Sequence, residues 1–105
     1  MKKTLVLRLS NRSEPFEDSM KDLPPKTRAI IDLHIDRVVM GGAKKNVKNL
    51  KDGIFEIKID YGPGYRVYFG ELNRNLIVLL IGGDKDSQFR DILRAKKLWR
   101  EYAQK

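Results

Sequence analysis

Arg66 is the side chain in this sequence best placed to act on an anion. It follows the Gly62-Pro63-Gly64 corner of DYGPGYRVYF, so a rigid bend fixes where its strand begins. A guanidinium is always charged, and its planar fork matches the oxygens of a phosphate. An ion pair with Glu56 or Asp60 across the hairpin would use the same side chain, and spacing alone leaves both uses open. Lys85 lies in GGDKDSQ, where a strand gives way to a helix N-terminus that favours anions; the alternative is a solvated lysine between two aspartates. Lys58 falls near Arg66, and a cluster of cations would lower its pKa toward useful proton transfer. It can also simply pair with Glu56 or Asp60. Glu56 fits either a general base or a charge partner. Tyr68 shares the face of Arg66 by alternation and suits stacking on a nucleobase, whereas Tyr65 turns to the core. Lys44, Lys45, Lys48 and Lys51 put four cations into eight residues of GGAKKNVKNLKDG, a pattern suited to phosphate contact or to a solvated loop.

These residues need a scaffold, and composition bounds it. The chain has 105 residues, 41% of them hydrophobic, enough for one core and too few for two, so residues 1–105 are expected to form a single domain. Lys and Arg total 22 against 14 Asp and Glu, a formal charge of +8, which favours polyanionic partners. With no cysteine and one histidine, disulfides and thiolate metal sites are excluded, and no metal or cofactor is indicated. The apolar run in MKKTLVLRLSNR is broken by Arg8 and is too short for a signal or membrane segment. A cytoplasmic protein is expected.

Periodicity supplies the elements. Residues 4–9 alternate as a strand, and a short helix follows between Ser13 and Lys21, with Pro15 in its first turn. Leu23-Pro24-Pro25 breaks the chain. A second helix from Lys26 to Met40 carries Ile30, Ile31, His34, Ile35, Val38 and Val39 on one stripe and ends at Gly41-Gly42. His34 on that stripe reads as a hydrogen-bonded core or border residue. In GIFEIKIDY, Phe55, Ile57, Ile59 and Tyr61 alternate with Glu56, Lys58 and Asp60, so one face is core and the other wet. Leu76 to Ile81 is continuously apolar, as expected of a central strand covered on both faces. After Gly82-Gly83, Asp84 to Ser87 offers an N-cap to a last helix. Phe89, Ile92, Leu93, Trp99, Tyr102 and Ala103 form its apolar stripe, and Arg90, Arg94, Lys97 and Arg100 its basic face. Trp99 and Tyr102 read as packing anchors. Asp91 suits capping and packing, while Gln88 and Arg90 suit either orienting the site or capping the helix.

Three segments resemble the RelE/ParE superfamily of toxins from type II toxin-antitoxin modules. They are the Gly-Ala-Lys-rich loop ending in GIFEIKI, the turn DYGPGYRVYF, and GGDKDSQFRDILRAKKL. The resemblance spans about Gly41 to Leu98 and is closest to the addiction-module killer branch, related to HigB and phage-type toxins. It implies an α+β fold of order β-α-α-β-β-β-α, with a helix hairpin packed on a mainly antiparallel four-stranded sheet and a C-terminal helix.

The resemblance also implies a toxin held inactive by an antitoxin, commonly a helix-turn-helix protein encoded next to it. In RelE-like members the toxin cuts messenger RNA on the ribosome without a metal. Such cleavage lets the ribose 2′-hydroxyl attack the adjacent phosphate, so the protein must remove one proton, supply another and stabilise the charged phosphorane-like oxygens. Arg66 matches an active-site arginine of RelE-like toxins, and Lys85 lies where relatives carry a cationic site residue. Lys58 matches a family lysine. Where some members have a second lysine two positions earlier, this chain has Glu56; where they have a tyrosine in the last helix, it has Ile92. RNA contact is expected from Lys44, Lys45, Lys48, Lys51, Tyr68 and Arg90. Two alternatives remain at this stage: a ParE-like inhibitor of DNA gyrase, since fold does not determine function, and an inactive member that only binds its antitoxin.

Overall fold

The computed structural model describes residues 2–42 and 44–103, apart from the side chain of Lys44. The chain runs β1 (Lys3–Val6), α1 (Pro15–Met20), α2 (Pro25–Val39), a short 3-10 turn (Lys44–Asn46), β2 (Val47–Asn49), β3 (Ile54–Ile59), β4 (Tyr65–Leu72), β5 (Leu76–Asp84) and α3 (Gln88–Ala103). The sheet is mixed, in the order β1-β5-β4-β3-β2. β1 is parallel to β5, and every other pairing is antiparallel.

An α+β fold with helices packed on a mainly antiparallel sheet was expected, but the sheet has five strands rather than four. The additional strand, β2, lies inside the lysine-rich segment that the sequence presents as a loop. Three residues, Val-Lys-Asn, are too few for alternation to register, and the strand exists because β3 offers it a paired edge.

Each face of the sheet carries helices. On one, Phe16, Met20, Ile31 and Ile35 of α1 and α2 pack on Ile57, Ile59, Val67, Phe69, Ile77 and Leu79. The two helices are tied by Arg28, which donates to Glu17 and Asp32. On the other face, Ala95, Leu98 and Trp99 of α3 cover Ile54, Tyr68, Val78 and Leu80. β5, read as central, lies between β1 and β4 and is buried over most of its length.

Glycines set how closely α3 approaches. A Cβ on Gly70 would stand 2.4 Å from the Trp99 ring, and one on Gly83 would stand 1.9 Å from the Asp91 carboxylate. β5 therefore runs on through Gly82 and Gly83 to Asp84, past the end expected at Ile81, because these glycines still pair with Val67 and Arg66.

Two expectations about α3 are corrected. Its buried stripe is Asp91, Ala95, Leu98 and Trp99, flanked by the partly buried Ile92 and Tyr102, whereas Phe89 and Leu93 point to solvent. The face of β3 and β4 read as wet is also covered by α3 over much of its length. It opens only near the Gly62-Pro63-Gly64 corner, where Lys58 and Asp60 are exposed.

His34 is partly buried, with Nδ1 2.9 Å from the Ile30 carbonyl oxygen. Trp99 and Tyr102 stack with ring centroids 5.5 Å apart. Both act as the packing residues the sequence suggested.

Candidate functional site

Strand register gathers the predicted residues at one end of the sheet. Lys58 lies directly opposite Arg66, Glu56 opposite Tyr68, and Arg66 opposite Gly83 of β5. Residues directly opposite one another in an antiparallel pair point to the same side, so Glu56, Lys58, Arg66 and Tyr68 share the face on which α3 packs.

The corner is built by backbone conformation. Gly62 and Gly64 take φ values of 56° and 85°, the left-handed region that glycine enters without steric cost. The Gly64 N–H donates to the Tyr61 carbonyl at 3.0 Å, and the Lys85 N–H donates to the Gly64 carbonyl at 2.8 Å. The second bond holds the β5–α3 junction against the β3–β4 corner. A Cβ on Gly64 would lie 3.4 Å from Arg66 Nη1 and 3.8 Å from Lys85 Cβ, so both cationic residues sit against this one glycine. Lys58, Arg66 and Lys85 thus converge from three strands or strand ends.

Behind the cations lies a buried polar cluster. Arg66 is 7% exposed and Glu56 4%, with Arg66 Nε 3.9 Å from Glu56 Oε1. That is an ion pair without a hydrogen bond, and Nε has no hydrogen-bond partner among the described residues. The second carboxylate oxygen of Glu56 accepts from Gln88 Nε2 at 2.8 Å. The Tyr68 hydroxyl, fully buried, also lacks a partner among the described residues. Burial, reinforced by the negative charge of Glu56, pushes the Tyr68 phenol well above its ordinary pKa. At the start of α3, the Ser87 N–H donates to Asp84 Oδ1 at 3.0 Å and Ser87 Oγ donates to Asp91 Oδ2 at 2.5 Å. Asp91 is therefore a packing and capping residue, as read from the sequence.

Three placements differ from expectation. Arg66 does not emerge onto open sheet surface; it is buried and faces Glu56 across the hairpin, the ion-pair use that spacing had left open. Glu56 is buried rather than on a wet strand face. Tyr68 cannot stack on a nucleobase, because its ring is part of the core under α3. The common reason is that α3 crosses this half of the sheet, a packing that the local alternation of β3 and β4 does not encode.

The other predicted cations spread along the surface. Lys58 and Lys85 are exposed, and Lys58 approaches Asp60 only at 4.0 Å. Lys48, exposed, is paired opposite Glu56, which puts it diagonal to Lys58 on the same face. Lys45 is exposed in the 3-10 turn. The side chain of Lys44 lies outside the described residues. Lys51 sits in the tight turn before Gly53, with φ 73°, at the far end of β3 from Lys58 and about 20 Å away along the strand. Arg90 is exposed on α3, two positions and hence about 200° around the helix from Gln88. The structure does not bring Lys51 to the corner, and Arg90 lines a hollow with Gly83, Asp84, Asp86, Ser87 and Phe89 at the β5–α3 junction.

The tie between Gln88 and Glu56 is the feature least visible beforehand. Its signal is a polar pair, Gln88 and Asp91, at adjacent positions of an otherwise apolar helix stripe, which marks polar groups held together beneath the helix.

A family model described as "Phage derived protein Gp49-like (DUF891)" matches residues 18–100. An uncharacterized protein of Haemophilus influenzae (strain ATCC 51907 / DSM 11121 / KW20 / Rd) is 38% identical over 98 residues, covering 93% of this chain and 96% of that protein.

Proposed function

Because the chain belongs to the Gp49-like family of phage-derived proteins, a family of toxins from toxin-antitoxin modules, we propose that it is the toxin of such a module and acts as a ribosome-dependent mRNA endonuclease without a metal. The observation that carries the reading is the convergence of Lys58, Arg66 and Lys85 on the Gly62-Pro63-Gly64 corner. Cleavage by the neighbouring 2′-hydroxyl needs positive charge where the pentavalent phosphate develops its extra negative charge. Lys58 and Lys85, exposed at the rim, contact the phosphate. Arg66, held from behind by Glu56, supplies a fixed positive charge that needs little reorganisation as the reaction proceeds. Lys45 and Lys48 extend the positive band along the adjoining strands and steer the message phosphates.

The ammonium of Lys58 or Lys85 is placed to protonate the leaving 5′-oxygen. Glu56 does not take the 2′ proton directly, since Gln88 and the fold cover its carboxylate; that proton passes to solvent water as the 2′-oxygen bonds to phosphorus and the bond to the 5′-oxygen breaks, and the role of Glu56 is to position Arg66. The cognate antitoxin is the expected partner, and the ribosome supplies the rest of the substrate geometry.

The inward turn of Arg66 supports a second reading, an inactive member that binds its antitoxin and cuts nothing. A translation extract separates the two. With wild-type protein, synthesis stops and messages carry new ends with a 2′,3′-cyclic phosphate and a 5′-hydroxyl. Intact messages at saturating dose overturn the nuclease reading and favour the inactive one.

A further inference from the structure

The outward side of α3 carries an arrangement that the corner does not use. Phe89 is 79% exposed and Leu93 58%, one helical turn apart at i and i+4, so their side chains form a single apolar ridge. Every other exposed position from Phe89 to Arg100 is cationic: Arg90, Arg94, Lys97 and Arg100. None of these four makes an ion pair among the described residues, whereas Lys96, lower on the helix flank, approaches Asp52 at 3.9 Å. A phenylalanine left almost wholly in water forfeits the free energy of its burial. With Arg90 and Arg94 along one flank, Lys97 and Arg100 continuing the ridge toward the C-terminal end, and Asp86 exposed one turn before Phe89, it marks a surface shaped for a partner.

We propose that this face of α3 is the docking site of the antitoxin, engaged by an amphipathic helical segment whose apolar stripe is bordered by Asp and Glu. The proposal rests on the toxin-antitoxin reading above and names the surface used. Charge decides among the occupants. A second copy of the chain would bring four cations against four, so self-association through this face is disfavoured. RNA would be attracted by the cations and could stack on Phe89, but gains nothing from burying Leu93. A helix with apolar residues between acids satisfies both the ridge and its flanks, the arrangement by which amphipathic helices pair. Such a partner would also sit over the first turn of α3, beside Lys85, and so obstruct the approach of a nucleic acid to the corner.

The test measures the affinity of the full chain for the purified product of the neighbouring open reading frame by titration calorimetry. Phe89→Ser/Leu93→Ser is expected to raise Kd by about 30-fold or more, the scale of lost interface anchors. Arg90→Glu/Arg94→Glu is expected to weaken binding by about tenfold or more at low salt, and less at high salt. Circular dichroism and light scattering on each variant check the fold and the mass. An unchanged Kd for both variants overturns the docking proposal and leaves the toxin-antitoxin reading standing. It is likewise overturned if the apolar variant keeps its antitoxin affinity but loses ribosome binding, which makes the face an RNA surface, or changes from dimer to monomer, which makes it a self-interface. Failure of the wild type to bind overturns the toxin-antitoxin reading, and the docking proposal with it.

Discussion

Replacing Arg66 alone leaves Glu56 as a buried carboxylate without its counter-charge. Breaking such a pair from one side costs about 3 kcal/mol, so Arg66→Ala is expected to lower Tm by roughly 15 °C for a chain of this size. Loss of toxicity in that variant would not by itself identify a chemical role. Arg66→Met combined with Glu56→Gln removes both charges while keeping an amide in contact with Gln88. We expect that double variant to recover most of the melting temperature and still to leave messages uncut. Recovery of cleavage with it would remove Arg66 from the mechanism. Tyr68 offers a separate check by pH. Its phenol is held protonated in the fold above its unfolded value near 10, so the unfolded chain loses that proton first as pH rises. The associated stability is complete below about pH 10 and is lost progressively above it. Tyr68→Phe is expected to flatten the alkaline limb of a urea-unfolding series above pH 10 and to leave stability at pH 7 nearly unchanged, since the hydroxyl has no partner among the described residues. An unaltered alkaline limb would show that the phenol is not held in this way.

At the scale of elements, the position of α3 determines which strand residues are accessible. The helix lies close because Gly70 and Gly83 leave room for Trp99 and Asp91. Gly70→Ala would force a methyl into the indole ring, and overpacking of this kind costs about 1–3 kcal/mol, read as a lower urea midpoint with an unchanged slope; an unchanged midpoint would mean that the ring moves aside freely. The helices, the corner and the apolar strand Leu76 to Ile81 were legible in the sequence because each is a local pattern of period, proline or glycine. The face on which each helix packs was not. Glu56 and Tyr68 alternate as if solvated, and only Gln88, 32 residues further on, shows that they are covered. Phe89 and Leu93 count as core in composition, yet the 3.6-residue period that buries Asp91, Ala95, Leu98 and Trp99 turns them outward. β2 was missed because its hydrogen bonds are all supplied by β3. The convergence of Lys58 with Arg66 was anticipated from the hairpin; that of Lys85 depends on the bond from its N–H to the Gly64 carbonyl, a contact across 21 residues.

Across the whole molecule, whose formal charge is +8, two of the cationic areas have different proposed uses. One runs from Lys45 and Lys48 through Lys58 to Lys85 around the corner. The other lies on the outer face of α3. No helix among the described residues is long and apolar enough to cross a membrane, and a basic surface of this kind favours polyanions. If Lys48, Lys58 and Lys85 each neutralise one phosphate of a single strand, the slope of log K against log salt is about −2, and a fourfold rise in salt weakens RNA association by about 20-fold. Filter binding of the free protein to an unstructured RNA at several salt concentrations reads this slope; a slope near zero would mean that these lysines do not meet phosphate. Lys58 and Lys85 are solvent-exposed, so truncating them is expected to leave the fold intact to within about 0.5 kcal/mol, unlike Arg66. The most direct measurement is therefore primer-extension mapping of message ends in a translation extract, comparing wild type with Lys58→Ala/Lys85→Ala at matched melting temperature. The corner mechanism predicts discrete cuts with the wild type and at least about a hundredfold fewer with the variant. Cuts of equal strength from both proteins, at the same sites, would contradict it.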